Sequence, residues 1–456
     1  MTYLPHTPAE RAEMLEAIGV ETMEDLFADI PARVLFPGLN LPPRTTEMDV
    51  GKEMREHADR NVDVTRVASF LGAGAYNHYS PPTVDYVLQR AEFYTAYTPY
   101  QPEVSQGMLQ SMFEYQSMIC RLTGMEVSNA SHYDGATSLA EAVRLALDST
   151  RGRRRKVVLS PALHPQYRQV VRTYLQGSGV SLSGDEDPKT DIDGLKSLVD
   201  DQTAALVIQN PNFFGQFEDV RGLSSKVHDA GALLIAVVDP ISLGLFQAPG
   251  TYGADVAVAD GQSLGLPLSF GGPHLGIFAT RKSYVRGLAG RLVGETVDAE
   301  GKRGYVLTLG TREQHIRRAK ATSNICTNAA LTALAAAVYL ATLGRFGLRR
   351  VAELCYHKSH YAAAQIALLP GCRINPQAPD LPFFKEFVVG LPLSAERASR
   401  AIEAELGVLG GRPLGLDFAD RDDQLLLAVT ELHTREDIDA LVAVLRKTVS
   451  SKVVSR

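Results

Sequence analysis

The sequence predicts an α/β protein with a large domain on a mostly parallel sheet, a small α+β domain at the C-terminal end and an N-terminal arm. Short apolar runs alternate with helical patterns through the middle of the chain, which is typical of parallel strands joined by helices. Runs such as LLIAVV at 233–238 are apolar throughout, as expected of strands that are covered on both faces. We therefore expect an arm over 1–60, a large domain over 61–350 and a small domain over 351–456.

The arm is expected to hold two short helices. Thr7 followed by Glu10 is typical of a helix start, and a second helix is predicted over 21–28, ending before Pro31. Residues 36–44 are rich in proline and glycine and are expected to be extended. Such a segment cannot form a core alone, so we expect it to lie along the main body or a partner subunit.

The elements of the two domains follow from hydrophobic periodicity and from glycine and proline punctuation. In the large domain, strands are predicted over 156–159, 204–208, 233–238, 256–259 and 275–279, and helices over 110–123, 134–147, 164–175, 194–199, 223–230, 328–343 and 348–368. In the small domain, strands are predicted over 387–391 and 425–430, and helices over 395–406 and 435–446. This second order of strand, helix, strand and helix is typical of a small α+β unit.

Composition and charge exclude several classes of protein. The 456 residues are 45% hydrophobic and 21% charged, and the net charge is −6, so there is ample apolar surface for a core and no basic excess for nucleic-acid binding. Four scattered cysteines do not form a disulfide framework, and no apolar run reaches membrane length. We expect a cytoplasmic protein that binds neither nucleic acid nor membrane.

Polar residues stand where ligands bind in parallel sheets, beyond the carboxyl ends of strands. Asp239 follows the strand at 233–238 and could hold a protonated ring nitrogen, or it could simply cap the next turn. Asp134, Gly135 and Thr137 open a helix whose N-terminus could bind phosphate, or they could be an ordinary helix cap. With the Asn-Pro pair at 210–211, their order is similar to that of pyridoxal phosphate (PLP) enzymes of fold type I.

The lysine that such an enzyme needs for its imine is missing. It should follow Asp239 by roughly two to three dozen residues, but lysines occur at 226 and 282 with none between. An amide such as that of Gln262 is not nucleophilic and cannot replace it. The sequence therefore predicts a coenzyme framework without its covalent anchor.

Long runs of the chain carry a more specific resemblance: SFLGAG at 69–74, YTAYTPYQPE at 94–103, GQSLG at 261–265, TREQHIRR at 311–318 and ATSNICT at 321–327. With YLPHT at 3–7, these runs resemble the glycine cleavage P-protein family. Within that family they resemble the α, or first, subunit of the two-subunit form. In that family only the β subunit carries the PLP lysine. The resemblance puts Gln262 at the lysine position and Gly261 in the place of a histidine that commonly stacks on the coenzyme.

The resemblance implies a subunit of glycine dehydrogenase (decarboxylating) in an α2β2 complex. The β subunit would hold PLP and decarboxylate glycine, and the aminomethyl group would pass to the lipoyl arm of H-protein. This chain would supply one wall of the cleft, with Asp134, Gly135, Thr137, Asp239, Gly261 and Gln262 as a vestigial site.

Two segments are candidates to face the partner's coenzyme. Three tyrosines, Tyr94, Tyr97 and Tyr100, lie in a proline-bearing stretch, and a basic stretch follows later with Arg317, Lys320, Thr322 and Asn324. Each has a simpler interpretation, interface packing for the tyrosines and a solvated face or ion pairs for the basic stretch.

Other functions stay open at this point. The chain could be a PLP enzyme that uses Lys282 or another lysine placed by the fold, or a binding or regulatory protein on a degenerate PLP fold. Cys355, His357 and His360 lie on one predicted helix, but Cys355 is expected to point away from the two histidines, so we predict no metal site.

Overall fold

The computed structural model describes residues 5–35, 38–325 and 329–453, and the chain divides into two compact units, Met1–Val62 and Asp63–Arg456. The first unit holds helices α1 (Pro8–Ile18) and α2 (Glu47–Ala58). Thr7 Oγ1 accepts the backbone N–H of Glu10, whose carboxylate in turn accepts the backbone N–H of Thr7, which confirms the predicted helix start. The helix expected over 21–28 is a single 3₁₀ turn, Glu24–Phe27, and α2 was not predicted.

The rest of the arm has no regular structure between residue 38 and α2. Phe36 and Pro37, which belong to the segment predicted to be extended, lie outside the described residues, as do Tyr3 and Leu4. The described side chains of α1 and α2 include none that is buried, so the first unit has no core of its own among them.

Alternating helices and strands build the second unit as far as residue 320. The helices are α3 (Pro82–Leu88), α4 (Ala91–Tyr94), α5 (Gln106–Thr123), α6 (Gly135–Ser149), α7 (Pro165–Leu175), α8 (Ile192–Leu198), α9 (Leu223–Asp229) and α10 (Gln314–Arg317). The strands are β1 (Val127–Ser128), β2 (Lys156–Leu159), β3 (Ser181–Ser183), β4 (Thr203–Gln209), β5 (Leu233–Val237), β6 (Val256–Asp260), β7 (Gly276–Thr280), β8 (Leu292–Val297) and β9 (Arg303–Thr308).

Within the described ranges, seven strands form the main sheet in the order β1-β7-β6-β5-β4-β2-β3. The pairs from β3 to β6 are parallel, β7 is antiparallel to β6, and the end strand β1 is antiparallel to β7. Leu234 of β5 joins an apolar cluster on one face, and Leu233 and Ile235 join a second cluster on the other face. The sheet is therefore covered on both sides, as its continuous apolar strands predict.

A long helix follows, α11 (Ala330–Ala367), which joins the two helices predicted over 328–343 and 348–368. Asn328, the predicted start, lies outside the described residues. Gly344 has φ 57° and ψ −176°, a left-handed backbone that favours glycine, and it marks a kink between the two halves. By length and composition alone α11 could cross a membrane, but its Ala333 and Tyr339 are buried in the core, as expected of a core helix.

The C-terminal segment forms a second, antiparallel sheet. Its elements are β10 (Arg373–Ile374), β11 (Glu386–Gly390), α12 (Ala395–Leu406), β12 (Arg412–Pro413), β13 (Gln424–Ala428) and α13 (Arg435–Val453). Its described strands lie in the order β10-β11-β13-β12, and Phe70 adds to the apolar cluster beneath them. The predicted α+β character is confirmed, whereas the division at residue 350 falls inside α11 and stays a prediction.

Candidate functional site

The carboxyl ends of β4, β5 and β6 meet the N-terminus of α6 at one edge of the main sheet. A cavity of about 40 Å³ lies there. Its lining comes from these strand ends, from residues 74–76 and from the start of β11, and its polar members include Tyr76, Gln209, Asp239, Asp260, Lys385 and Glu386. Of the predicted vestigial residues, Asp239 lines the cavity together with charged residues that were not predicted. The other five, Asp134, Gly135, Thr137, Gly261 and Gln262, lie at the same edge of the sheet but outside the lining.

Asp239 binds an ammonium group of the same chain. Its Oδ2 lies 2.7 Å from Nζ of Lys385, whose side chain is 1% exposed. Its Oδ1 accepts the backbone N–H of Ile241 at 2.9 Å, which is the capping role of the simpler interpretation. Both interpretations therefore describe part of the geometry, but the cation is a lysine and not a ring nitrogen.

Lys385 continues a buried chain of polar contacts. Its Nζ lies 3.5 Å from the centre of the Tyr76 ring and donates to Nε2 of His78 at 3.0 Å. Nδ1 of His78 lies 2.7 Å from Oε2 of Glu431. Burial and the charge of Lys385 lower the pKa of His78, so the neutral ring accepts from the lysine and donates to Glu431. Against the raising effect of burial, this hydrogen bond from His78 lowers the pKa of Glu431 to about 2.

Gln262 holds the backbone of Tyr76, which lines the cavity. Its Nε2 donates to the backbone oxygens of Tyr76 at 3.0 Å and Leu266 at 2.8 Å, and its Oε1 accepts the backbone N–H of Tyr76 at 2.9 Å. Both polar atoms of the side-chain amide at the lysine position are thus hydrogen-bonded to backbone groups. At the preceding Gly261, a Cβ atom would lie 2.7 Å from the Leu275 side chain, so a histidine has no room there.

Two carboxylates occupy the helix start that could have bound phosphate. Asp134 Oδ1 accepts the backbone N–H of Thr137 at 2.7 Å, and Asp260 Oδ2 accepts the backbone N–H of Gly135 at 3.2 Å. A hydrogen bond from His274 to Asp260 raises the pKa of that imidazole, so a partial positive charge balances the carboxylate. The donors and the positive end of the α6 dipole are therefore already neutralised.

The residues of this site do not fit PLP. A volume of about 40 Å³ holds a few water molecules at most. The ring-nitrogen partner Asp239 is paired with Lys385, the imine position is Gln262, and a second anion at the start of α6 would be repelled by Asp134 and Asp260. We derive no chemical step through the coenzyme in this chain.

Neither Lys282 nor Lys385 supplies the alternative anchor. Lys282 is exposed on a 3₁₀ turn after β7, away from the cavity lining. Lys385 lies in the cavity, but its ammonium is held on the carboxylate of Asp239, where a ring nitrogen would have to bind.

Glu386 stabilises the other wall of the cavity. Its carboxyl group accepts the backbone N–H of Ala73 and the hydroxyl of Tyr76, both at 2.7 Å. Burial raises its pKa to about 7. Lys385 and Glu386 were missed at the level of sequence, although two adjacent charges that open an apolar strand, FVVGL, are an unusual signal.

Among the described residues, potential metal-ligand atoms of His78, Cys355 and Glu431 also lie within 4.8 Å of one another. Burial raises the pKa of the Cys355 thiol, and the second nitrogen of His78 faces the ammonium of Lys385, so the cluster does not suit a cation. The two histidines that the sequence places on the same helix as Cys355 lie apart from this cluster's contacts. His357 is exposed, and His360 stacks on the Phe383 ring with 3.9 Å between the ring centres.

The three tyrosines lie on an exposed stretch that begins at the end of α4. Tyr94, Tyr97 and Tyr100 are 70%, 78% and 52% exposed. Arg291 Nη2 donates to the hydroxyl of Tyr100 at 3.2 Å, and the ring of His315 meets the ring of Tyr100 edge-on with 5.8 Å between centres. This contact joins the tyrosine stretch to the basic stretch.

In the basic stretch, Arg317, Lys320 and Asn324 are exposed, and Thr322 is half-buried. The backbone oxygen of Thr322 accepts from Arg144 at 3.5 Å. The cavity lining comes from other segments, so these residues form a separate surface whose role stays a prediction.

Comparison with known proteins gives a consistent family. The model of the glycine cleavage system P-protein matches residues 1–445. Two relatives named "Probable glycine dehydrogenase (decarboxylating) subunit 1" are 54% identical over 450 residues in Thermomicrobium roseum and 53% identical over 449 residues in Moorella thermoacetica. Each alignment covers 98% of this chain and 99% of the relative.

Solved structures show the same fold. A crystal structure of glycine decarboxylase (P-protein) of the glycine cleavage system, in inhibitor-bound form, is 48% identical with a TM-score of 0.87 and covers 98% of this chain and 100% of that one. Sphingosine-1-phosphate lyase from Burkholderia pseudomallei is 16% identical with a TM-score of 0.65, covering 93% and 97% of the two chains. The predicted PLP-dependent fold type I is confirmed.

Proposed function

The chain belongs to the glycine cleavage system P-protein family, and on that premise we propose that it is the α, or first, subunit of glycine dehydrogenase (decarboxylating), an oxidoreductase of glycine catabolism. The observation that carries the proposal is the vestigial site. The fold is retained, but Gln262 stands at the lysine position and Lys385 holds Asp239. Such a chain would need a homologous partner subunit that supplies the catalytic site.

The partner in this proposal is a β subunit that binds PLP, in an α2β2 complex in the cytoplasm. The name "subunit 1" of the relatives supports the existence of a second subunit. Glycine would lose CO2 there, with the coenzyme as electron sink, and the aminomethyl group would pass to the lipoyl arm of H-protein.

This chain would form part of the wall of the partner's active-site cleft and exclude water from it. Tyr94 and Tyr97 are large and exposed, which is typical of a surface that becomes buried on association. Tyr100 is fixed by Arg291, so this stretch is partly ordered before the partner arrives. Arg317 and Lys320 add positive charge beside it, and the substrate carboxylate and the coenzyme phosphate are both anions.

The test is an exchange of labelled bicarbonate into glycine by each subunit and by the pair, after the pair has been purified as one complex. We expect exchange from the pair and none from this chain with added PLP. Labelled CO2 released from glycine by this chain alone would refute the proposal, and so would an assembled pair without exchange activity.

Variants of the surface test the contribution to the cleft. Tyr97→Phe and Arg317→Gln are expected to lower turnover of a complex that still assembles, whereas the exposed Arg400→Gln on α12 is the matched control and should leave turnover unchanged. Unchanged kinetics in the first two variants would remove both residues from the cleft.

A further inference from the structure

A second and larger cleft lies beside the vestigial site. It has a volume of about 440 Å³ and is formed by the loops after β2, β3 and β4 together with residues 375–381 and 420–421. It shares Asn212 with the small cavity, but its other lining residues are different. Neither the tyrosine stretch nor the basic stretch contributes to it, so the proposed function does not use this cleft.

A buried arginine lines the cleft without a full set of partners. Arg421 is 5% exposed, and its Cζ lies 4.3 Å from the centre of the Phe214 ring and 4.9 Å from that of Phe418. Within the part of the chain that the structure describes, its Nε has no hydrogen-bond partner. A guanidinium held on aromatic faces offers its N–H edge to a ligand, and that edge matches a carboxylate.

A half-buried glutamate lines the same cleft. Oε2 of Glu218 is inaccessible to solvent and has no hydrogen-bond partner among the described residues. Burial and the charge of Asp191 raise its pKa to about 7, against a hydrogen bond with Asn212. Such a group gains most from a cation or a strong donor placed against it.

The remaining lining divides into charged residues at the rim and apolar residues inside. Lys189, Asp191 and Asp420 are exposed. The apolar members include Ala162, Phe214, Leu381 and Val388. The cleft therefore combines one buried cation, one half-buried acid and an apolar wall.

From this combination we infer that the cleft binds an α-amino acid with an aliphatic side chain, whose carboxylate lies on Arg421 and whose ammonium group lies on Glu218. A simple carboxylic acid would leave Glu218 without a partner, and a simple amine would leave Arg421 without one. A ligand that carries both groups provides partners for both side chains. The inference stands apart from the decarboxylation of glycine and does not depend on it.

Calorimetry on the full chain without its partner tests the inference with three probes. These are leucine, 4-methylpentanoate, which lacks the ammonium group, and 3-methylbutylamine, which lacks the carboxylate. We expect leucine to bind at least tenfold more tightly than either fragment. Absence of leucine binding at millimolar concentration, or equal binding of a fragment, would overturn the inference.

Variants assign the two ends of the ligand. Glu218→Gln should weaken leucine at least tenfold but leave 4-methylpentanoate unchanged, and Arg421→Gln should weaken both. Arg421→Lys keeps the charge without the planar edge and should weaken leucine as well; this second variant covers the case that Arg421→Gln does not fold. Asp219→Asn and Arg221→Gln, an exposed pair adjacent to Glu218, are the controls and should change nothing. Leucine binding that survives Glu218→Gln or Arg421→Lys would contradict the assignment.

Discussion

The buried Lys385 in the small cavity gives the sharpest prediction. Lys385→Met keeps the length of the side chain and removes its charge. The ammonium is 1% exposed and lies 2.7 Å from Oδ2 of Asp239, whose side chain is 10% exposed. Removal of one partner of a buried ion pair costs about 3–5 kcal/mol, because the remaining charge is left uncompensated. Asp239 would keep only the N–H of Ile241, and His78 would lose the donor to its Nε2.

The assay is equilibrium unfolding in urea, followed by circular dichroism. Lys447→Met is the control, because Lys447 is exposed and pairs with Glu405 at the surface, where an ion pair contributes about 0–1 kcal/mol. We expect the loss for Lys385→Met to be several times larger. Equal losses in the two variants would refute the view that Lys385 neutralises the pocket.

A double variant separates charge from packing. In Lys385→Met with Asp239→Asn, neither charge remains, and the amide oxygen can still accept the N–H of Ile241. We expect the double variant to be more stable than the sum of the single losses predicts, by about 2–3 kcal/mol. If the loss in the double variant equals the sum of the two single losses, the losses come from packing and not from an uncompensated charge.

The other predictions concern three further positions. Gln262→Lys with added PLP should give no borohydride-sensitive absorbance near about 400 nm, because the other coenzyme positions are taken; such a band would contradict the fit argument. Burial raises the Glu386 pKa to about 7, so wild-type stability should fall as pH rises from about 4.3 to 7, since the unfolded chain loses that proton first. In Glu386→Gln the fall in the free energy of unfolding between pH 5 and pH 8, measured in urea, should be smaller than in the wild type by about 2–3 kcal/mol. Parallel pH profiles of the two proteins would refute this prediction. Gly135→Ala should cost about 1–3 kcal/mol, because its Cβ would lie 2.2 Å from the Tyr167 hydroxyl. Gly107→Ala meets nothing within 4 Å and should be neutral or stabilising, and equal effects of the two would contradict the steric argument.

Much of the fold could be predicted because its strands are buried on both faces. The strand predicted over 156–159 is β2, and β4 and β5 end within one residue of their predicted limits. The hairpin of β8 and β9 was missed, since only one end of it is buried and its residues are mixed in polarity. The two helices predicted on either side of Gly344 are both present, and they follow each other without a loop because glycine allows the non-helical backbone at the kink.

The candidate site could be predicted in what it lacks but not in what replaces it. Strand order places Asp239, Gln262 and the start of α6 together, and that much follows from local pattern. Lys385 comes from the second sheet, more than a hundred residues after Asp239, and its position depends on how β11 packs against the first sheet. No local pattern reports such a contact.

The replacements follow from the cost of an empty pocket. A chain that lost its imine lysine but kept Asp239 and an open helix start would bury an unpaired carboxylate and unsatisfied N–H donors, each of which costs free energy. Lys385 pairs with the first, and Asp260 accepts from the second. Gln262 then binds the backbone of Tyr76, whose side chain lines the cavity. Each of these contacts stabilises the fold without the coenzyme. A single substitution to lysine at position 262 would remove only the contacts of Gln262 and leave the other two in place, which is why we expect the pocket to stay closed.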